Sequence, residues 1–294
     1  MRHSLNRYNS RALAASVGVF VVMMVMAASN QVLGQSSNPD RVEQSTEQVR
    51  KAIAAGDFKT AEKLLRERIQ PDRGLGNADL AEALESLAWL YQYQGRYSEA
   101  ESLLQRALAL EEKVLGSEPS TARTLNGLGV LYYYQGRYSE AEPLLQRALA
   151  IQEKALGSEH PDTASILNNL ALLYQYQARY SEAEPFFKRT LAIQEKALGG
   201  GHPDTARTLN NLGLLYQKQG RYAEAEVLLK RSLAIREKAF GSNHPETAAN
   251  INSLAVLYQE QGRYAEAARF SPACACNPGE GPRQQTSGYR THSK

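Results

Sequence analysis

The chain has 294 residues, 43% of them hydrophobic, and a formal charge of +3. Arginines in residues 1–29 and a basic excess in residues 269–294 supply that charge, so the body between them is mildly acidic. A body of that charge with no basic stripe excludes nucleic acid as the expected partner, and its lack of cysteine excludes thiol chemistry there.

The first element differs in kind from the rest. Arg2, Arg7 and Arg11 precede an uncharged apolar run from Ala12 to Ala28, and Ala27-Ala28-Ser29 offers small residues for cleavage. Residues 1–29 therefore have the form of a signal peptide. The alternative is an uncleaved membrane anchor over residues 12–28, because the run is at the short limit for spanning a bilayer. Either reading predicts an exported body, periplasmic or secreted, that meets a membrane only through this segment.

Residues 40–70 hold a worn version of a unit that is clearer further on. Gly56-Asp57-Phe58-Lys59-Thr60-Ala61-Glu62 matches Gly136-Arg137-Tyr138-Ser139-Glu140-Ala141-Glu142. The helix before it lacks the later Leu/Tyr pattern, as a terminal repeat with one face in water would. Gln44, Glu47, Gln48 and Lys51 suit that face, and Gln70 to Ala78 reads as a loop.

From residue 79 to 268 the unit recurs. Gly95-Arg96-Tyr97, Gly136-Arg137-Tyr138, Ala178-Arg179-Tyr180, Gly220-Arg221-Tyr222 and Gly262-Arg263-Tyr264 are spaced by 41, 42, 42 and 42 residues. A fixed period of this size means stacked copies of one supersecondary unit. Within residues 161–198, Pro161-Asp162-Thr163 opens one helix, and Leu167, Leu170, Ala171 and Tyr174 form its apolar face. The break at Ala178, which is Gly in the other copies, fits a helix end. The second helix runs from Ser181 to Leu198: Ser181-Glu182-Ala183-Glu184 reads as a capping box, and Ala183, Phe187, Leu191 and Ala197 as the buried stripe. Gly199 ends it. The expected fold is all-α, a solenoid of antiparallel helix hairpins: four full hairpins, a degenerate first and a truncated fifth.

The pattern resembles the tetratricopeptide repeat. A small residue (Ala88, Gly129, Ala171, Gly213, Ala255) follows a Leu, a Tyr comes three residues later (Tyr91, Tyr132, Tyr174, Tyr216, Tyr258), and an Ala nine after that (Ala100, Ala141, Ala183, Ala225, Ala267). The ordinary repeat has about 34 residues. The longer period, with the phrase Leu191 to Gly199 and the loop Gly157-Ser158-Glu159-His160-Pro161-Asp162-Thr163-Ala164, is similar to the kinesin-light-chain type. Departures are Thr190 and Ser232 at a second-helix site that is Ala107 and Ala148 in earlier copies, and a one-residue deletion in the loop after Gly116. The resemblance implies a binding scaffold with a protein or peptide ligand and no enzyme activity; no cofactor is implied.

The side chains point the same way. His160, His202 and His244 recur at 42-residue spacing, but equivalent points on stacked helices lie at least ~8–10 Å apart and cannot share one ion. They read as helix-start residues, so no metal site is expected. Catalytic triads, P-loops and dinucleotide glycine patterns do not occur. Glu153-Lys154, Glu195-Lys196 and Glu237-Lys238 read as a solvated face.

The candidate site is a ladder on the first helices. Asn126, Asn168, Asn210 and Asn252 hold one repeat position, which is Glu85 in the first copy. First helices of tetratricopeptide proteins line a concave groove, and the kinesin-light-chain resemblance implies that such Asn residues bind a peptide backbone. An amide both donates and accepts, and a step of ~8–10 Å matches roughly three residues of extended chain at ~3.3 Å each. Asn169, Asn211, Arg123, Arg207, Gln175 and Gln217 would flank the groove, with Trp89, Val130, Leu172, Leu214 and Val256 as its apolar floor. Tyr93, Tyr134 and Tyr176 would be either its aromatic wall or inter-repeat packing. The alternative for the Asn ladder is bonding within the helix pair, holding the stack.

After Ala267 the pattern stops within one turn, and residues 269–294 read as an aberrant, disordered tail. Back-translating Cys276 to Lys294 as degenerate codons and starting one base later permits Ala-Ile-Arg-Glu-Lys-Ala-Leu-Gly-Ser-Lys-His-Pro-Asp-Thr-Ala-Arg-Thr-Leu. That is the repeat, in phase with Ala234-Ile235-Arg236-Glu237-Lys238. A frameshift near codon 268 is therefore expected, and Cys274-Ala275-Cys276 carries no metal or redox meaning. Two alternative functions follow: the chain is the recognition part of a longer protein whose downstream effector was lost, or a nonfunctional fragment.

Overall fold

The computed structural model describes residues 39–70, 75–114 and 119–270. The apolar segment of residues 12–28, the Cys274/Cys276 pair and residues 271–294 of the expected tail lie outside the described residues. The order is α1 (Pro39–Ala54), α2 (Phe58–Arg68), α3 (Asn77–Tyr93), α4 (Tyr97–Val114), α5 (Pro119–Tyr134), α6 (Tyr138–Leu156), α7 (Pro161–Tyr176), α8 (Tyr180–Leu198), α9 (Pro203–Lys218), α10 (Tyr222–Phe240), α11 (Pro245–Glu260) and α12 (Tyr264–Arg269). Consecutive helices pair into hairpins, and each second helix also packs on the first helix that follows it. The result is an all-α solenoid.

Local chemistry sets the boundaries. His160, His202 and His244 are the N-caps of α7, α9 and α11, and each Nδ1 accepts a backbone N–H, from Asp162, Asp204 and Glu246. Proline follows at the first helical position, where no N–H is needed. The first helices end in left-handed residues: Gly95, Gly136, Gly220 and Gly262 have φ of 73° to 76°, and Ala178 has 59°. At Ala178 the Arg179 N–H reaches the Tyr174 carbonyl at 2.9 Å and the Ala178 N–H reaches Gln175 at 3.1 Å, a Schellman closure.

Three sequence expectations are corrected here. Ser181 is not a cap. α8 begins at Tyr180, its N-cap is Arg179, and the Arg179 guanidinium pairs with Glu182, leaving Glu184 to face the next repeat. Ala197 is exposed; the buried stripe is Ala183, Phe187, Thr190, Ile193 and Gln194. Its steps of four, three, three and one follow the helical period, whereas the six-residue jump from Leu191 to Ala197 leaves that face. Asn77 and Ala78 belong to α3 rather than to the preceding loop.

Small residues set the distance within hairpins. A Cβ on Gly129 would lie 2.6 Å from Leu145 Cγ, and one on Gly213 2.8 Å from Leu229 Cγ. In the same column Ala88 and Ala171 are fully buried. The Leu, Tyr and Ala positions of successive repeats join one continuous hydrophobic cluster from Val49 to Ala267. Among the described residues no helix is long and apolar enough to cross a membrane.

Candidate functional site

The first helices α3, α5, α7, α9 and α11 approach their counterparts in neighbouring repeats more closely than the second helices do, so they form the inner face of the stack. On α7 the residues facing this side are Asn168, Asn169, Leu172 and Gln175, all half-buried, and the exposed Tyr176. The apolar floor residues Trp89, Val130, Leu172 and Leu214 are half-buried, and Val256 at the last repeat is exposed.

The Asn ladder is wired between repeats. Asn169 Nδ2 donates to Asn126 Oδ1 at 2.9 Å, and Asn211 Nδ2 donates to Asn168 Oδ1 at 3.4 Å. These bonds link first helices of successive hairpins rather than the two helices of one. The series breaks at the next step. Position 253 is Ser, whose hydroxyl donates to its own helix at the Ala249 carbonyl (3.1 Å). Asn210 Oδ1 is thus buried with no hydrogen bond, as are Gln175 Oε1 and Gln217 Oε1. Gln217 Nε2 donates to Glu260 at 2.8 Å. Asn252 is exposed.

The two flanking arginines are engaged. Arg123 Nε donates to the buried Glu85 at 2.8 Å, and Arg207 pairs with Asp204 at 3.0 Å on its own helix. The tyrosines are both packed and open. Tyr133 sits edge-on against Tyr176, centroids 5.0 Å apart, and 5.4 Å from Tyr134; burial pushes its phenol well above the ordinary range. Tyr93 packs on Phe58 at 4.8 Å and Trp89 at 5.9 Å. Tyr93, Tyr134 and Tyr176 nevertheless keep 40%, 40% and 61% of their surface. Lys218 and Glu260 take this position in the last two repeats.

Sequence reasoning missed two inter-repeat features. The arginine of each Gly/Ala-Arg-Tyr triplet stacks on the tyrosine of its own hairpin, 3.7 to 4.4 Å from the ring centre. Its Nη1 then reaches a glutamate one repeat back: Arg137 to Glu101 at 2.9 Å, Arg179 to Glu142 at 2.7 Å, Arg221 to Glu184 at 2.8 Å, Arg263 to Glu226 at 2.6 Å. The repetition of Arg and Glu 36 or 37 residues apart was the available signal. Second, two of the three glutamates of the Glu-Lys pairs are not merely solvated: Glu153 and Glu195 bind Arg189 and Arg231 of the next repeat, both at 2.6 Å, while Glu237 and Lys238 are exposed. The lysines Lys154 and Lys196 are exposed as expected.

A tetratricopeptide-repeat profile matches residues 120–196, 165–238 and 204–271, and a second profile of the same description matches 80–119. The chain belongs to the tetratricopeptide-repeat family. Among solved structures, this tetratricopeptide array is similar to a protein of Podosopora anserina described as a kinesin light chain with nearly identical repeats: 34% identity, 66% of this chain and 92% of the other, TM-score 0.58. It is also similar to BtubC of P. vanneervenii, at 25% identity, 85% and 98% coverage and TM-score 0.61. Pseudomonas aeruginosa pilF, at 20% identity, 79% and 89% coverage and TM-score 0.56, shares the fold. No curated protein matches the sequence. Arrays of this family generally serve as protein–protein interaction scaffolds rather than enzymes, and they bind protein or peptide partners.

Proposed function

We propose that the inner face of α5, α7, α9 and α11 binds an extended segment of a partner protein, with Asn168, Asn210, Gln175 and Gln217 as its hydrogen-bonding rim. The carrying observation is Asn210. Its Oδ1 is buried and takes no hydrogen bond because Ser253 stands where the two preceding repeats have Asn169 and Asn211. A buried acceptor left unpaired costs about 1–3 kcal/mol, and a turn of the half-buried Asn210 amide toward the groove, to meet a backbone N–H of a bound segment, would relieve that cost. The half-buried Leu172 and Leu214 beside it supply apolar contact. Peptide-array binding by the wild type and by an Asn168→Ala/Asn210→Ala double variant tests this. Binding that falls tenfold or more is expected; equal binding, or no binding by the wild type, refutes the reading.

The Arg2–Arg11 and Ala12–Ala28 pattern supports export of this scaffold. A reporter active only outside the cytoplasm, fused after residue 76, is expected to be active, and activity of a cytoplasm-only reporter at the same site would refute export.

A second reading concerns the fifth hairpin. α12 has 6 residues where α6, α8 and α10 have 19. Ala255 is half-exposed in a column where Ala88 and Ala171 are fully buried. The out-of-frame repeat in phase with Ala234 to Gly241 favours a displaced reading frame near codon 268, with the scaffold once continuing toward further repeats or an effector. Sequencing the gene across codons 260–300 and beyond tests it: a downstream shifted frame with no repeat in it would sink the idea.

A further inference from the structure

One pair of buried carboxylates takes no part in the peptide-binding reading. Glu111, in the last turn of α4, is 2% exposed, and its Oε2 is buried without a hydrogen bond. Facing it from α3 is Glu85, 6% exposed, which accepts from the Thr124 hydroxyl and from Arg123 Nε. Thr124 lies beside Glu111 as well, but its one hydroxyl proton is given to Glu85. The other charged groups around the pair are Glu112 on the same helix, itself bound to Arg147 at 2.8 Å, and Glu82 on α3, which faces Arg123 and Arg68. Arg123 is thus committed to Glu85, and no second cation reaches Glu111 among the groups acting on it.

The same two columns show what the fold accepts there. Glu85 stands in the column of Asn126, Asn168 and Asn210, and Glu111 in the column of the buried Gln152 and Gln194, which only the fourth repeat fills with a charge, Arg236, bound to the Glu246 carbonyl and carboxylate. Thr208, at the position of Thr124, donates to Gln194 Oε1 at 2.7 Å, whereas Thr124 donates to Glu85. An amide is a neutral group with the shape of a protonated carboxyl, and like charges in one buried site cannot both ionise.

We propose that Glu111 is held as the neutral acid, a stand-in for the glutamine of the next two repeats, and that losing its proton loosens the contact between α4 and α5, so that this junction weakens as pH rises above neutral. Burial and the Glu85 charge push Glu111 up to about 8, against the pull of Thr124 and Arg123. A folded value above the unfolded one means that the folded state holds the proton more tightly. Stability from this site is therefore complete below the ordinary glutamate range and declines as pH rises toward about 8.

Urea unfolding of the full chain and of Glu111→Gln, from about pH 5 to about pH 9, tests this. One linked proton makes the folded-to-unfolded ratio of the wild type fall by up to about tenfold per pH unit relative to the variant, levelling above about pH 8. Parallel pH curves for the two proteins overturn the proposal. If the variant does not fold, carboxyl carbon-13 NMR of glutamate-labelled wild type decides: one glutamate titrating near pH 8 is expected, and all glutamates titrating below about pH 6 overturns it.

Discussion

The junction between the first two full repeats and the junction between the third and fourth fill the same positions with different chemistry. At the first, Arg123 reaches across to Glu85 on the preceding repeat, and Glu111 lies buried beside Thr124. At the later one Arg207 takes Asp204 three residues back on its own helix, Asn168 replaces the cross-repeat acid, and Gln194 replaces Glu111. The position equivalent to Asp204 at the first junction is Ser120. Where an arginine finds its acid within its own helix, the neighbouring repeat can present a neutral amide to the groove. Where it does not, the neighbour must supply charge, and the junction carries a proton.

What both junctions share is the Arg–Tyr–Glu clamp, and acid should break it at both, because Glu101 and Glu184 are each held below the ordinary glutamate range. The Arg263 hydrogen bond, with help from Lys230 and Tyr258 and against some burial, holds Glu226 at about 2. At Glu184 burial works upward, but bonds from Lys188, Arg221 and Tyr216 outweigh it and bring it to about 2. These folded values lie below the ordinary 4.5, so the stabilisation is present above that pH and is lost as pH falls toward 2. Helicity followed by circular dichroism is expected to collapse in that window, the largest single effect foreseen. A helical array at pH below 2 would show that the clamps contribute little.

Transplanting the first junction's chemistry sharpens the contrast. Gln194→Glu places a carboxylate beside Thr208 where Arg207 is already paired. Urea unfolding is expected to show a loss of about 1–3 kcal/mol above neutral pH, largely recovered near pH 5 as the new acid takes up a proton. A loss of equal size at both pH values would mean that the residue is simply misfitting, and that the amide is not standing in for a neutral acid.

Period and spacing made the helices, their order and the core columns legible, because Leu128, Tyr132 and Ala141 and their equivalents repeat in phase. They could not reveal the clamp, since Arg137 and Glu101 lie on different hairpins and meet only after stacking. The misplaced cap at Ser181 has a similar cause: Ser-Glu-Ala-Glu has the right letters, but the Schellman closure at Ala178 starts the next helix earlier, at Tyr180. The site was half legible. The Asn positions were found by register alone, while their bonding partners, one repeat and one residue further on, required the geometry of neighbouring helices.

That register gives the smallest and most local test. Position 169 donates across to Asn126, so Asn169→Ala removes a half-buried amide bond between repeats and is expected to cost about 1 kcal/mol. Ser253 occupies the same column at the last junction, but its hydroxyl returns to Ala249 on its own helix, so Ser253→Ala should be nearly neutral, within about 0.5 kcal/mol. The two substitutions are alike in column and differ only in where the lost hydrogen bond went. Equal costs in urea unfolding would mean that the bond from Asn169 to Asn126 adds nothing to the cohesion of the stack. Unequal costs would place the array's cohesion in its middle junctions and leave Asn210, at the break in the series, as the amide freest to accept a hydrogen bond from a partner.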